Sequence, residues 1–392
     1  MNRLSIAILA GLSMVGPLAI DTYLPSFPAI AQTFGVSAVM VQQTLSLYLL
    51  AFALMTLFYG TMSDSFGRRP VLLWALVIYV AASLGAACAP SFGWLLFFRV
   101  LQGAVAGAGS VIGQAIVRDR LSGADAQRAL SYILTVFGLA PAIAPILGGW
   151  LQVTFGWRAI FIFLALFGAL MIAVCYRALP ESLPRGLRHP FKLRLIAGHY
   201  RDALRHRRFL LLAFANALAF AGFALYVGSA ANFVMTILQL PETAFGWLFI
   251  PLISGLMLGS TLSGRYAARI APRYLIGVGF AAMAVAAIGN VVYNSLFTAA
   301  IPWAVLPLTL YAFGAALATP AITVIALDFF PLNRGLAAAL LLFVRMLAFA
   351  LITGVLAPLL FGSGLKLALG VLGGFLISWL CWQFGKPSSV HH

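Results

Sequence analysis

Twelve apolar runs, each about as long as a bilayer core is thick, constrain this chain more than any other feature. They fall roughly at 5–27, 38–62, 71–90, 94–117, 128–152, 159–179, 209–234, 244–264, 273–294, 300–326, 335–360 and 364–385. Two of the breaks are short, Ala89-Pro90-Ser91 and Gly362-Ser363-Gly364. An outer-membrane barrel would alternate polar with apolar residues and leave no such runs. With 63% of the residues apolar and 8% charged, the chain has too few polar side chains to coat a soluble globule. The expectation is an all-α membrane protein of twelve transmembrane helices. The first run follows Arg3 as a secretory signal would, but Asp21-Thr22-Tyr23-Leu24-Pro25 stands where a cleavage site belongs, so a retained helix is expected.

The formal charge of +16 would suggest nucleic acid in a soluble protein. In a membrane protein it marks the loops on the cytoplasmic side, and no nucleic-acid partner is expected. With the N-terminus inside, the inner segments hold Arg3, Arg68, Arg69, Arg118, Arg120, Arg128, Arg265, Arg269, Arg273, Arg334, Lys386 and eight more in the 180–208 stretch. The outer segments hold Arg158 and Lys366, roughly 19 against 2, so both termini are expected in the cytoplasm.

The stretch 180–208 is the one long polar segment and divides the chain into six-helix bundles at 1–179 and 209–386. It reads as a basic linker whose amphipathic helix lies on anionic lipid. Residues 387–392 read as a disordered tail, with His391 and His392 a possible remnant of a purification tag. Cys88, Cys175 and Cys381 lie far apart inside apolar runs and read as small packing residues. No metal and no cofactor are expected.

The halves carry a weak internal echo. Gly60-Thr61-Met62-Ser63-Asp64-Ser65-Phe66-Gly67-Arg68-Arg69 is answered by Ser260-Thr261-Leu262-Ser263-Gly264-Arg265-Tyr266-Ala267-Ala268-Arg269. Ser63 and Arg69 match, while Asp64 has become Gly264. Repeated halves are the plan of many secondary transporters, whose substrate sites lie near the bilayer midplane.

Charge inside a membrane is costly and marks function. Only Asp21, Arg99 and Arg345 lie well inside the runs, and Asp21 is the sole deep carboxylate. At 1.5 Å per residue, Asp21 sits roughly 24 Å and Arg99 roughly 28 Å from the inner face. Groups at one level are natural partners. The pair reads either as a static lock between helices or as a proton-binding carboxylate poised beside a cation. Pro25 cannot donate to the Asp21 carbonyl, and Pro17 leaves that of Ser13 free, so the first helix is expected to bend and face water at Asp21. Arg345, about mid-depth, has no deep acid left to pair it; it reads as satisfied by carbonyls and water, or as a contact for an anionic or carbonyl-bearing substrate.

Pro141 and Pro145 permit bending of the fifth helix, and Gly148 and Gly149 permit close approach of a neighbour. Asp64 ends the second helix, where the helix dipole disfavours an anion. Its candidate partners are Arg68, Arg69, the Arg118-Asp119-Arg120 triplet and the helix start at Asn333-Arg334-Gly335. A network of this kind, made in one state and broken in another, is a gate. Tyr48, Phe220, Phe223, Tyr226 and Trp247 read first as packing residues, with Tyr23, Tyr48 and Tyr226 the candidates for a cavity lining.

Gly60-x-x-x-Asp64-x-x-Gly67-Arg68-Arg69 resembles the loop motif between helices 2 and 3 of the major facilitator superfamily. Arg99-x-x-Gln102-Gly103 is similar to the helix 4 motif of its proton-coupled members, and Pro145-x-x-Gly148-Gly149 to the helix 5 motif of its antiporters, with Ala144 where a glycine is usual. Pro17 to Pro25 and Gln42-Gln43-Thr44-Leu45-Ser46 resemble the bicyclomycin/chloramphenicol-resistance (Bcr/CflA) branch of drug:proton antiporters. The resemblance covers the whole chain, with its specific motifs in the first half. It implies that Asp21 binds proton and substrate with help from Arg99, and that Asp64, Arg68 and Asp119 belong to a cytoplasmic gate, Asp119 partnering Arg68. Ser13 stands where some antiporters carry a second acid, and Thr56 where branch members often have glutamine.

The sequence is thus expected to encode a monomeric exporter of the bacterial inner membrane. It would exchange inward-moving protons for small, largely apolar drugs by alternating access, with Asp21, Tyr23, Tyr48, Arg99, Gln102, Tyr226 and Arg345 around the cargo. A same-fold exporter of an amino acid, nucleoside or siderophore is the alternative. An enzyme is disfavoured, because His189, His199 and His206 all lie in the basic linker and no nucleophile or metal-ligand cluster is present.

Overall fold

The computed structural model describes residues 3–188, 193–267, 269–331 and 334–387. Eleven helices among them are long and apolar enough to cross a membrane, and the bent pair Arg207–Ala219 and Ala221–Gly228 makes a twelfth. We number these spans in chain order: 1 (Leu4–Phe34), 2 (Ala38–Phe66), 3 (Arg68–Ala87), 4 (Phe92–Arg120), 5 (Asp125–Phe155), 6 (Trp157–Ala178), 7 (the bent pair), 8 (Glu242–Tyr266), 9 (Pro272–Leu296), 10 (Leu306–Leu327), 11 (Arg334–Leu360) and 12 (Gly364–Gly385). Helices prevail because lipid offers backbone groups no partners, so each segment must satisfy its own.

The chain forms two compact units, Met1–Lys192 and Leu193–His392. In the first, span 1 packs on spans 4, 5 and 6, span 2 on span 4, and span 3 on spans 4 and 6. In the second, span 7 packs on spans 10, 11 and 12, span 8 on span 10, and span 9 on spans 10 and 12. Adding six to each member of the first set gives the second. The faint echo in sequence is therefore a repeat in the main packing contacts. Close helix contact rests on small residues: a side-chain carbon at Gly103 would collide with the Tyr48 carbonyl, and one at Gly148 with that of Thr22. Large apolar side chains such as Trp74, Leu166, Val285 and Phe384 point outward, as a lipid-facing surface requires.

Several expectations shift at the element ends. Span 10 begins at Leu306 rather than 300, because residues 301–305 form turns around Pro302. The fifth span's helix runs unbroken from Gly123 to Phe155 through Pro141 and Pro145, both buried. Between spans 6 and 7 lie a short turn at Arg185–Leu187 and the helix Leu193–Arg205, which packs against spans 7 and 11. Residues 189–192 of the expected linker, Asn333, and residues 388–392 with His391 and His392 lie outside the described residues.

Candidate functional site

Span 1 is discontinuous at the residues the sequence singled out. Its helix runs Arg3–Asp21, stops, makes a 3-10 turn at Leu24–Ser26 and resumes at Phe27–Phe34. Pro25 explains the stop, since it cannot donate to the Asp21 carbonyl four residues earlier. Thr22 still donates to the Leu18 carbonyl at 3.1 Å, but the carbonyl of Ala19 is left for another donor.

Arg99 of span 4 supplies that donor. Its Nη1 reaches the Ala19 carbonyl at 3.1 Å and Gln102 Oε1 at 2.9 Å. Gln102 Nε2 in turn donates to Ser83 Oγ at 2.7 Å, and Ser83 to the Tyr79 carbonyl. The guanidinium lies 4.2 Å from the Tyr23 ring and 4.3 Å from the Tyr48 ring, so two aromatic faces hold it. A cation at the carbonyl end of a helix segment also opposes the negative end of its dipole. Arg99 therefore caps the broken helix. Its Nε and Nη2 are buried without a hydrogen-bond partner.

Two expectations are corrected here. Among the described residues no ion pair joins Asp21 to Arg99, and no hydrogen bond to the Asp21 carboxylate is found. Depth arithmetic put the two at one level, but main chain two residues before Asp21 takes the guanidinium. Nor does Asp21 stand widely open to water, since the residue as a whole is 3% exposed. Tyr23 and Tyr48 are likewise enclosed: Tyr23 shares a hydrogen bond with Thr44 Oγ1 at 2.8 Å, and Tyr48 donates to the Gly16 carbonyl at 3.2 Å. Ser13 and Thr56, the two departures from the resembling pattern, donate to carbonyls within their own helices.

The loop between spans 2 and 3 carries the second cluster. Gly67, at φ +101°, ends one helix and starts the next, a conformation open to glycine. Arg68 is 8% exposed in its side chain and holds three partners: Asp64 at 2.5 Å, Ser63 Oγ at 2.6 Å and Asp119 Oδ2 at 3.1 Å. Of the candidates for Asp64 within this unit, Arg68 is the one engaged. Arg69 instead donates to the Tyr176 carbonyl at 2.7 Å, over the Tyr176 ring. Gly60 lies in ordinary helix with free space where a side chain would go.

Sequence reasoning missed Glu181. Its carboxylate accepts the backbone N–H groups of Arg68 at 3.1 Å and Arg69 at 3.3 Å, the first of span 3, together with those of Ser182 and Leu183. Ser182 Oγ donates to Asp119 at 2.8 Å, and Arg120 to the carbonyls of Pro180 and Glu181. One acid at the head of a basic stretch was the available signal, and a helix N-terminus with free donors is what it answers.

In the second unit Tyr226 is enclosed, accepting from Asn290 Nδ2 at 3.3 Å with its ring against Phe233. Arg345 of span 11 lies over the Phe220 ring at 5.5 Å. Phe220 occupies the 44° bend of span 7. The echo of Asp64, Gly264, brings no carboxylate, and among the described residues no ion-pair cluster forms beside it.

Two six-span units with repeated packing, broken first spans and few buried charges define a multi-pass membrane transporter. The sequence pattern of the Major Facilitator Superfamily matches residues 9–353, and the chain belongs to that family, whose members are transporters rather than enzymes. It is 32% identical over 270 residues to the bicyclomycin resistance protein homolog of Haemophilus influenzae, covering 69% of this chain and 68% of that one. It is 36% identical over 179 residues to a chloramphenicol resistance protein of Pseudomonas aeruginosa, covering 45% and 43%. The fold is similar to that of the human organic anion transporter MFSD10, with a TM-score of 0.72 at 22% identity over 97% of this chain and 99% of that one.

Proposed function

We propose that this transporter is a proton-coupled exporter of small, largely apolar drugs, of the bicyclomycin/chloramphenicol-resistance branch, acting as a monomer by alternating access in a bacterial inner membrane with both termini cytoplasmic. The observation that carries the reading is Asp21: a largely enclosed carboxylate at a helix break, with no ion pair among the described residues, near an Arg99 already held by main chain and two rings. A carboxylate locked in an ion pair resists protonation, whereas one without a partner is free to gain and lose a proton as its surroundings change. In the cycle proposed, Asp21 takes a proton from outside as cargo leaves and returns it to the cytoplasm before cargo reloads. Arg99, Gln102, Tyr23 and Tyr48 fix the helix break at which that exchange takes place. Asp64, Arg68 and Asp119, fastened by Glu181, form the cytoplasmic gate. Two relatives that carry bicyclomycin or chloramphenicol resistance in their names support the cargo class.

The test is proton movement in proteoliposomes loaded with a pH dye, triggered by chloramphenicol, with Asp21→Asn beside the unaltered chain. Drug-dependent flux abolished in the variant is the expected result. Flux retained in Asp21→Asn would remove Asp21 from the coupling step.

A further inference from the structure

The first span of each unit is interrupted, and one ionisable side chain lies at each interruption: Asp21 on span 1 itself, and Arg345, reaching Phe220 of span 7 from span 11. In the first unit the break follows Asp21; in the second it falls at Phe220, where the helix turns by 44°. Spans 1 and 7 hold equivalent places in the repeated packing, and interrupted segments at equivalent places of two halves point to substrate contacts.

Its chemistry is specific. Arg345 is the only charged residue deep within the spans of the second unit. Among the described residues it has neither an ion pair nor a hydrogen bond, and it is half-buried, so part of its guanidinium is free. Phe220 stands 5.5 Å from it. One turn further along each helix, Phe223 and Phe349 meet edge to face at 6.1 Å, and Phe220, Phe223 and Phe349 are all half-buried. A membrane-embedded cation is expensive unless something answers it. Among the described residues the protein answers Arg345 with one ring face and no carboxylate. A planar guanidinium pairs best with a planar two-oxygen acceptor, which it takes through two parallel N–H bonds, and the rings beside it favour a flat apolar body.

We infer that Arg345 receives a planar two-oxygen acceptor, a carboxylate or nitro group, carried on an aromatic cargo that lies against Phe220, Phe223 and Phe349. The inference rests on the exporter reading and names its substrate class: flat aromatic solutes with an electron-rich end, in preference to organic cations.

Equilibrium binding to the purified full chain tests it, with naphthalene-2-carboxylate, naphthalene-2-carboxamide and naphthalen-2-ylmethylammonium as matched probes. The carboxylate is expected to bind at least tenfold tighter than the amide and the ammonium weakest. Arg345→Gln should erase that order and Arg345→Lys restore part of it, without the twofold geometry. Equal binding of carboxylate and amide, preference for the ammonium, or a preference unchanged in Arg345→Gln would each overturn the inference. Should Arg345→Gln fail to fold, the order in the unaltered chain and its weakening in Arg345→Lys decide the matter. Because binding needs no proton gradient, absence of chloramphenicol-driven proton flux would refute the exporter reading alone and leave this result readable.

Discussion

Glu181 is the residue whose removal tests the architecture most directly. Its carboxylate accepts four backbone N–H groups between 2.9 and 3.3 Å, two of them opening span 3. A hydrogen bond to a charged group contributes about 1.5–3 kcal/mol where water is excluded. The Glu181 side chain is 27% exposed, so water replaces part of what is lost, and helix-cap substitutions with this access cost about 0.5–2 kcal/mol. With two N–H groups in a helix and two in the following chain, Glu181→Ala should cost about 2–3 kcal/mol. Glu181→Gln keeps one acceptor oxygen and loses the charge, for about 1 kcal/mol. In a unit of this size each kcal/mol lowers Tm by about 2–4 °C. Cys175 offers the readout: it is fully buried in span 6, beside Tyr176, whose carbonyl holds Arg69. Thermal unfolding in detergent with a thiol-reactive dye, on a chain carrying Cys88→Ser and Cys381→Ser, should show Ala below Gln below the parent. Arg188→Ala, which removes a 3.7 Å contact to the same carboxylate, should shift Tm much less. If Glu181→Ala and Arg188→Ala proved equal, the four N–H bonds would not be what fastens the loop.

Gly148→Ala should destabilise the first unit by about 1–3 kcal/mol, since the new carbon meets the Thr22 carbonyl and main chain must move; Gly138→Ala, with free space at its site, should leave the same dye assay unchanged or slightly stabilised. Asp119→Asn leaves the nearly buried Arg68 with one carboxylate fewer and should lower Tm by several degrees, while Asp125→Asn, in a widely exposed pair at 3.7 Å, should not register. If one proton enters per neutral drug exported, each turnover moves one charge, worth about 2.3 kcal/mol per 100 mV. Imposing 100 mV should then raise the steady-state drug gradient about fifty-fold, and a gradient indifferent to voltage would refute that stoichiometry.

Much of the site was legible because membrane burial makes charge conspicuous. Asp21, Arg99 and Arg345 stood out by residue type and depth alone, and the proline at position 25 announced the break in span 1. Pairing was not legible. Depth gives one coordinate of three, and it could not distinguish the Asp21 carboxylate from the Ala19 carbonyl two residues away as the acceptor for Arg99. The aromatic box of Tyr23 and Tyr48 was hidden for the same reason, its members lying 25 residues apart in the chain and meeting only at Arg99. Glu181 escaped notice because an acid in a polar segment looks solvated until the helix start that it caps is brought to it.

The sequence by itself determined the spans, their number and the break in span 1, because those follow from local hydrophobicity and from a proline's missing N–H, whereas the 44° bend of span 7 at Phe220, with no proline beside it, was not legible. It also determined which residues carry charge into the membrane. Tertiary structure decided what each of those charges touches: a carbonyl and two rings for Arg99, one phenyl ring for Arg345 and, among the described residues, no ion pair for the carboxylate of Asp21. Those contacts join spans distant in the chain. They depend on how closely glycines such as Gly103 and Gly148 let backbones approach, a property of two surfaces together that no single segment encodes.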